Sequence, residues 1–241
     1  MLKVLNSAVP VTCWSCAVGH NDSLLFCPHC SKIQPPPGGN YFSVFGLKPQ
    51  LNIDLPALEQ EFHRLSRKLH PDRFARAQDQ ERQWSLADTA LLNDAYRTLK
   101  DPLRRTEYVL RLEKKADAQN SFSKTEENGT TNGSRERQDA SRVPADLLEE
   151  VFDLNMQIEE MRQSRKSGET NPELENSLKE AKQRFDGLLE TVDRELHVQW
   201  TAWDEGDATA RQAAVKQMMA LLDRRHFLSN LTRDVNEILA A

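Results

Sequence analysis

Hydrophobic residues return at three- and four-residue steps through most of this chain, a pattern that predicts helices rather than strands. Leu55, Leu58, Phe62, Leu65 and Leu69 form one buried stripe, with Asp54 placed to cap its start and Pro56 tolerated in its first turn. Tyr41 to Phe45 predicts a short apolar turn of helix just before it. Trp84, Ala87, Leu91 and Ala95 share one face of a third helix, with Leu92, Tyr96 and Leu99 beside them. Asp101-Pro102 opens a fourth, where Tyr108 and Leu112 supply apolar contacts. Pro71 fixes its own φ and turns His70 away from helical backbone, so the second helix should stop there. The polar stretch Arg73 to Gln83 reads as a mobile connection.

Helical patterning returns at Pro144 and persists to the end, with breaks near Gly168–Pro172 and Asp204–Asp207. Three long helices with short turns are expected. In the first of them Leu147, Val151, Leu154, Ile158 and Met161 make a core stripe. Leu148, Phe152 and Met156 wind to a different side at about 100° per residue, and one narrow core cannot take both sets. The second set must meet another helix or stay exposed as a binding face. In the last helix Leu221, Leu228, Leu231, Val235 and Ile238 form the core stripe, with Phe227 at its margin.

Composition agrees with this all-helical reading. Of 241 residues 38% are hydrophobic and 29% charged, and only nine are glycine, which suits long amphipathic helices. The net charge of −5 gives no basic field for nucleic acid, and no apolar run reaches the length of a membrane span. Gln34 to Asn40 is a Pro- and Gly-rich linker. Residues 114–142 hold one large apolar side chain, Phe122, and are expected as a disordered insertion. The Asn-x-Ser/Thr sequons at Asn128 and Asn132 fall inside it and read as chance. The N-terminus carries one Lys and no Arg before the first Cys, too little for a secretory signal or a good mitochondrial presequence.

All four cysteines lie in the first 30 residues as two Cys-x-x-Cys pairs, Cys13/Cys16 and Cys27/Cys30. A disulfide framework would spread its cysteines over the fold that it staples; clustered pairs at this spacing can present four thiolates to one tetrahedral Zn²⁺. His20 and His29 could substitute for a thiolate, and redox chemistry, nucleic-acid binding by a zinc ribbon or an iron–sulfur cluster are the rival uses. One structural zinc that folds a coreless module, residues 1–33, is the simplest account.

His70-Pro71-Asp72 follows a helix that carries Arg64, Arg67 and Lys68 outside its apolar stripe. Such charges would be a solvated face by default, but here they sit within two turns of the loop and can steer an acidic surface toward it, with Arg73 extending the patch. The tripeptide, Tyr41-Phe42 before the short helix, and Leu92-Asn93-Asp94-Ala95-Tyr96-Arg97-Thr98-Leu99-Lys100-Asp101-Pro102 together resemble the J-domain of DnaJ-type co-chaperones. That resemblance implies a four-helix domain over 41–113 whose His70, Pro71 and Asp72, with Arg64, Arg67 and Lys68, contact a DnaK-type heat-shock ATPase. The loop would stimulate hydrolysis there and catalyse nothing itself.

A J-domain in front, a charged middle and a C-terminal three-helix domain over 143–241 are similar to the HscB family of iron–sulfur cluster co-chaperones, whose animal members carry an N-terminal module with two Cys-x-x-Cys knuckles. The resemblance implies a scaffold partner, IscU, bound by Leu148, Phe152 and Phe227, with Glu149 standing where relatives tend to have another apolar residue. It also implies a mitochondrial matrix location, against cytosol from the weak N-terminal signal, and a monomer or weak homodimer. The competing readings are a general J-protein that delivers unfolded clients and a thiol oxidoreductase.

Overall fold

The structure, a computed structural model, describes residues 10–21, 25–122, 145–168 and 170–240. The chain divides into two compact units, one ending at Ser121 and one beginning at Phe122. The sequons and most of the expected 114–142 insertion lie outside the described residues.

The first unit opens with two short antiparallel strands, β1 (Pro10–Thr12) and β2 (Gly19–Asn21), in the register Val11 to His20. After the Pro-rich linker come α1 (Tyr41–Val44), α2 (Leu55–Leu69), α3 (Asp79–Lys100) and α4 (Pro102–Phe122). Asp54 caps α2 by accepting from the Ala57 N–H at 3.0 Å, as its position predicts. Leu58, Leu65 and Leu69 are buried, and Phe62 stacks on Tyr96 of α3 with ring centroids 4.1 Å apart. Leu55 departs from the expected stripe and stands 41% exposed, because the first residue of the helix lies beyond the end of the core.

The connection after the loop is shorter than the polar composition suggests. A 3₁₀ turn spans Pro71–Phe74 and α3 already begins at Asp79, where Gln78 and Glu81 form a capping box. The buried face of α3 is Glu81, Ser85, Asp88, Leu92, Ala95 and Leu99, while Ala87, expected on the core stripe, is exposed. Spacings of four and three residues run unbroken through those six positions, but the first three are polar and hide the stripe from a hydrophobicity reading. α4 runs to Phe122, past the expected boundary at 113, through a segment of Lys, Ala and Gln that lacks Pro and Gly. It buries Arg105, Thr106, Val109 and Leu110, with Tyr108 and Leu112 half-buried. The Tyr108 hydroxyl accepts from the Tyr41 N–H at 2.8 Å, with the two rings stacked at 4.6 Å, which ties α1 to α4.

The second unit is α5 (Leu148–Ser167), α6 (Pro172–Glu205) and α7 (Ala208–Ala240). Gly168 ends α5 at φ +73°, a left-handed position that favours glycine, and Pro172 opens α6 after an Asn171 cap. The core unites Leu147, Val151, Leu154, Ile158 and Met161 with Leu178, Phe185, Leu196 and Trp200 of α6 and Met218, Leu228, Val235 and Ile238 of α7. Leu221, expected in the stripe of α7, is half-buried, and Ala214 and Met218 take the core positions before it. Among the described residues the chain is all-α apart from the two short strands.

Candidate functional site

The metal module is built twice from one local geometry. Cys13 and Cys27 each donate their N–H across a tight turn, to the Val18 carbonyl at 3.0 Å and the Lys32 carbonyl at 2.8 Å. Ala17 and Ser31, the residues after the second cysteine of each pair, both adopt positive φ near +60°. The Ser15 and His29 N–H groups point at the Cys13 and Cys27 sulfurs, each at 3.4 Å. All four Sγ atoms lie within 4.8 Å of one another, with Cys13–Cys30 at 3.6 Å and Cys16–Cys27 at 3.8 Å. Those separations match the edge of a tetrahedron around an ion bound at about 2.3 Å, and far exceed a disulfide bond of about 2.05 Å.

Hydrogen bonding already favours one thiolate, against burial. Burial works to raise the Cys13 thiol, but N–H donors from Cys16 and Ser15 and the neighbouring sulfurs hold it down at about 6. At Cys16 the Val18 backbone favours the thiolate, yet burial and the other three sulfurs push it up to about 12. A soft divalent cation suits this arrangement, since it would stabilise four thiolates held this close together. Among the described residues the cluster consists of the four cysteines, and His29, exposed on its turn, is outside it; the His20 side chain lies outside the described residues.

The module packs on the helical part of its unit. Trp14 donates to the Ile33 carbonyl at 2.7 Å and meets Trp84 of α3 edge-on, with centroids 5.7 Å apart. Lys32 reaches Glu81 of α3 at 2.9 Å. Lys68 of α2 lies over the Phe26 ring at 5.8 Å.

His70 ends α2 with extended backbone (φ −53°, ψ 129°), as a residue before proline should. Its Nδ1 accepts from the Asp72 N–H at 3.3 Å and lies 3.4 Å from an Asp72 carboxylate oxygen. Both side chains are exposed, and Ser85 of α3 donates to the Leu69 carbonyl at 2.7 Å, fixing the base of the turn. The tripeptide is thus a rigid exposed corner. Arg64, Arg67 and Lys68 are exposed along α2. Arg64 is engaged by Glu61, whose carboxyl that bond holds low, and Arg67 donates to the His63 carbonyl at 3.2 Å.

In the second unit the two stripes of α5 separate cleanly. Leu147, Val151, Leu154, Ile158 and Met161 are buried, while Leu148, Phe152 and Met156 are 58%, 64% and 59% exposed. Phe227 is half-buried on α7. Arg224, one turn before it, holds Asp146 through two hydrogen bonds of 2.7 and 3.1 Å, which brings the start of α5 to the turn of α7 that carries Phe227. Arg225 grips Asp193 of α6 at 2.6 Å on the other side.

A "Co-chaperone protein HscB homolog" of Vibrio cholerae is 47% identical over 74 residues, 31% of this chain and 43% of that protein. The "Iron-sulfur cluster co-chaperone protein HscB" of Mus musculus is 37% identical over 106 residues, 42% of this chain and 45% of that one. Over those stretches the chain is similar to HscB co-chaperones. It spans less than half the length of the curated relatives it matches. The crystal structure of human co-chaperone protein HscB shares the fold, with a TM-score of 0.58 and 22% identity over 94% of this chain and 97% of that one. No family model matches the chain.

Sequence reasoning missed the buried carboxylates. Glu81, Ser85 and Asp88 lie in the core of the first unit, and neither Asp88 oxygen has a hydrogen-bond partner among the described residues. Burial pushes the Asp88 carboxyl up to about 7. The unbroken heptad-like spacing with Leu92 and Leu99 was the available signal.

Proposed function

We propose that this chain is a co-chaperone of iron–sulfur cluster assembly with two working surfaces. Leu148, Phe152 and Phe227 bind the cluster scaffold IscU, and His70-Pro71-Asp72 with Arg64, Arg67 and Lys68 engages a DnaK-type heat-shock chaperone and stimulates its ATP hydrolysis. The chain supplies no bond-making chemistry; its exposed corner presents an imidazole and a carboxylate that a docked ATPase can read. Carrying both surfaces on one chain raises the effective concentration of scaffold and chaperone for each other. The four cysteines hold one structural Zn²⁺. The domains are the metal module to residue 33, the J-domain from 41 and the scaffold-binding helices from 143. The mitochondrial matrix is the proposed location; no helix among the described residues is long and apolar enough to cross a membrane.

The exposed stripe of α5 carries this reading. Three large apolar side chains in a row, beside a core stripe that is already filled, favour one folded partner over loose contact with unfolded clients. Full burial of one such side chain contributes at most about 1.5–3 kcal/mol, so the three supply part of the binding energy that must exceed the cost of association. The test is an ATPase assay with the chaperone, with and without IscU. Synergy between this chain and IscU is expected; stimulation that ignores IscU would leave only a general J-protein.

A further inference from the structure

The metal module and α2 enclose a cleft of about 760 Å³ in the first unit. That volume lies within the roughly 300–1,000 Å³ of sites that hold a ligand. Its floor is apolar: Phe45 and Leu65 are buried there, and Phe26 and Phe74 are half-buried at its edges. Its rim is cationic, with Arg64 and Lys68 from α2, Arg73 just past the His-Pro-Asp corner and Lys32 from the metal module. The two acids in the lining are already engaged, Glu61 by Arg64 and Glu81 by Lys32. No carboxylate lies within ion-pair distance of Lys68 or Arg73 among the described residues, so the cleft carries uncompensated positive charge over an apolar floor.

The spacing selects the occupant. Arg64 and Lys68 are one helical turn apart, a rise of about 6 Å. Alternate residues of an extended peptide repeat at about 6.8 Å and point to the same side, with the intervening residues pointing to the other. An extended segment alternating acidic and apolar residues can therefore set its carboxylates on the cations while its apolar side chains face the floor. The cleft is continuous with the surface assigned above to the chaperone, sharing Arg64 and Lys68 and ending beside the His-Pro-Asp corner.

We propose that the metal module is the second wall of the chaperone dock, and that the cleft between it and α2 receives an extended acidic segment of the ATPase, with carboxylates on Arg64, Lys68 and Arg73 and apolar side chains on Phe26 and Phe45. The identity of the partner rests on the functional reading above; the groove does not. Charge gives the contact a salt-sensitive approach, and Phe26 makes it specific to chains that carry the module.

The full metal-loaded chain is titrated with the purified ATPase, and separately with a labelled nine-residue peptide that alternates Glu with Leu or Phe. A control peptide of the same composition has its acids and apolar residues in two blocks. The alternating peptide should bind at least about fivefold tighter than the block peptide, and Phe26→Ala and Arg73→Glu should each weaken both peptide and ATPase by about five- to tenfold. Metal content and thermal melt are measured for every variant; Arg73 lies on an exposed turn, so its substitution carries the test should Phe26→Ala fail to fold. Equal binding of the two peptides, or wild-type affinity for the ATPase in Arg73→Glu and metal-loaded Phe26→Ala, overturns the inference. Failure of the wild-type chain to bind the ATPase overturns the functional reading and the partner named here, and the peptide comparison then decides the groove alone.

Discussion

Lys32 of the metal module and Glu81 of α3 meet at 2.9 Å, with the lysine side chain 49% exposed and the carboxylate only 6% exposed. This one contact joins the module to the start of a helix, since Glu81 also accepts from the Gln78 N–H at 3.3 Å in the capping box. Loss of the lysine would leave a nearly buried carboxylate without its cation. Lys32→Ala is expected to lower stability by about 1–2 kcal/mol, less than a fully buried pair because water still reaches the lysine. Denaturant melts of Lys32→Ala, Glu81→Gln and the double variant form the check; fully additive losses would mean that the pair contributes nothing.

Metal removal should be felt at the same contact. Chelation is expected to disorder the two knuckles and part Trp14 from Trp84, shifting tryptophan emission to the red as the rings enter water. Cys13→Ser should do likewise without chelator. Zinc affinity should also fall with pH, because the Cys16 thiol at about 12 must lose its proton to bind, and below about 6 so must Cys13. An emission spectrum indifferent to chelator in a sample with one zinc per chain would count against a structural metal.

Asp88 gives the first unit a pH dependence of defined sign. Its folded value of about 7 lies above the ordinary 3.8, so the folded state keeps a proton that the unfolded chain has released. Stability from this group is complete below about 4 and is lost as pH rises through about 7, by at most about 4 kcal/mol. The melting temperature of the parent should therefore drop between pH 5 and 7.5 more than that of Asp88→Asn. Parallel curves for the two would show that Asp88 is ionised and solvated.

His70→Gln is expected to abolish stimulation of the partner ATPase while moving the melt by less than about 0.5 kcal/mol, because both side chains are exposed and the His70 ring contacts only Asp72 among the described residues. Circular-dichroism melts and an ATPase assay separate the two effects. A large stability loss would make the corner structural.

On α5, Phe152→Ala and Leu148→Ala should each weaken scaffold binding by about tenfold or more, with no change in melting temperature. The exposure of both residues is the reason that fold and binding separate. Calorimetry against folded IscU reads the affinity; wild-type affinity in the double variant would remove the scaffold reading.

The helices of this chain were written in its sequence. Periodicity alone placed Leu58, Leu65 and Leu69 in one core and Val151, Leu154 and Ile158 in another, because burial of a helix face depends mainly on which side chains recur each turn. Asp54, Gly168 and Pro172 marked boundaries through local backbone chemistry, and the two Cys-x-x-Cys pairs marked four sulfurs that lie close enough to hold one metal ion. Tertiary structure decided what those rules cannot reach. Whether Leu148, Phe152 and Met156 were covered depended on where α6 and α7 lie, and they lie on the opposite stripe. The burial of Glu81, Ser85 and Asp88 depended on partners as distant in sequence as Lys32, a contact between segments 49 residues apart that no local pattern encodes. The metal module acquired its place against α2 and α3 in the same way, through Trp14, Phe26 and Lys32, three side chains whose partners only the folded unit brings near.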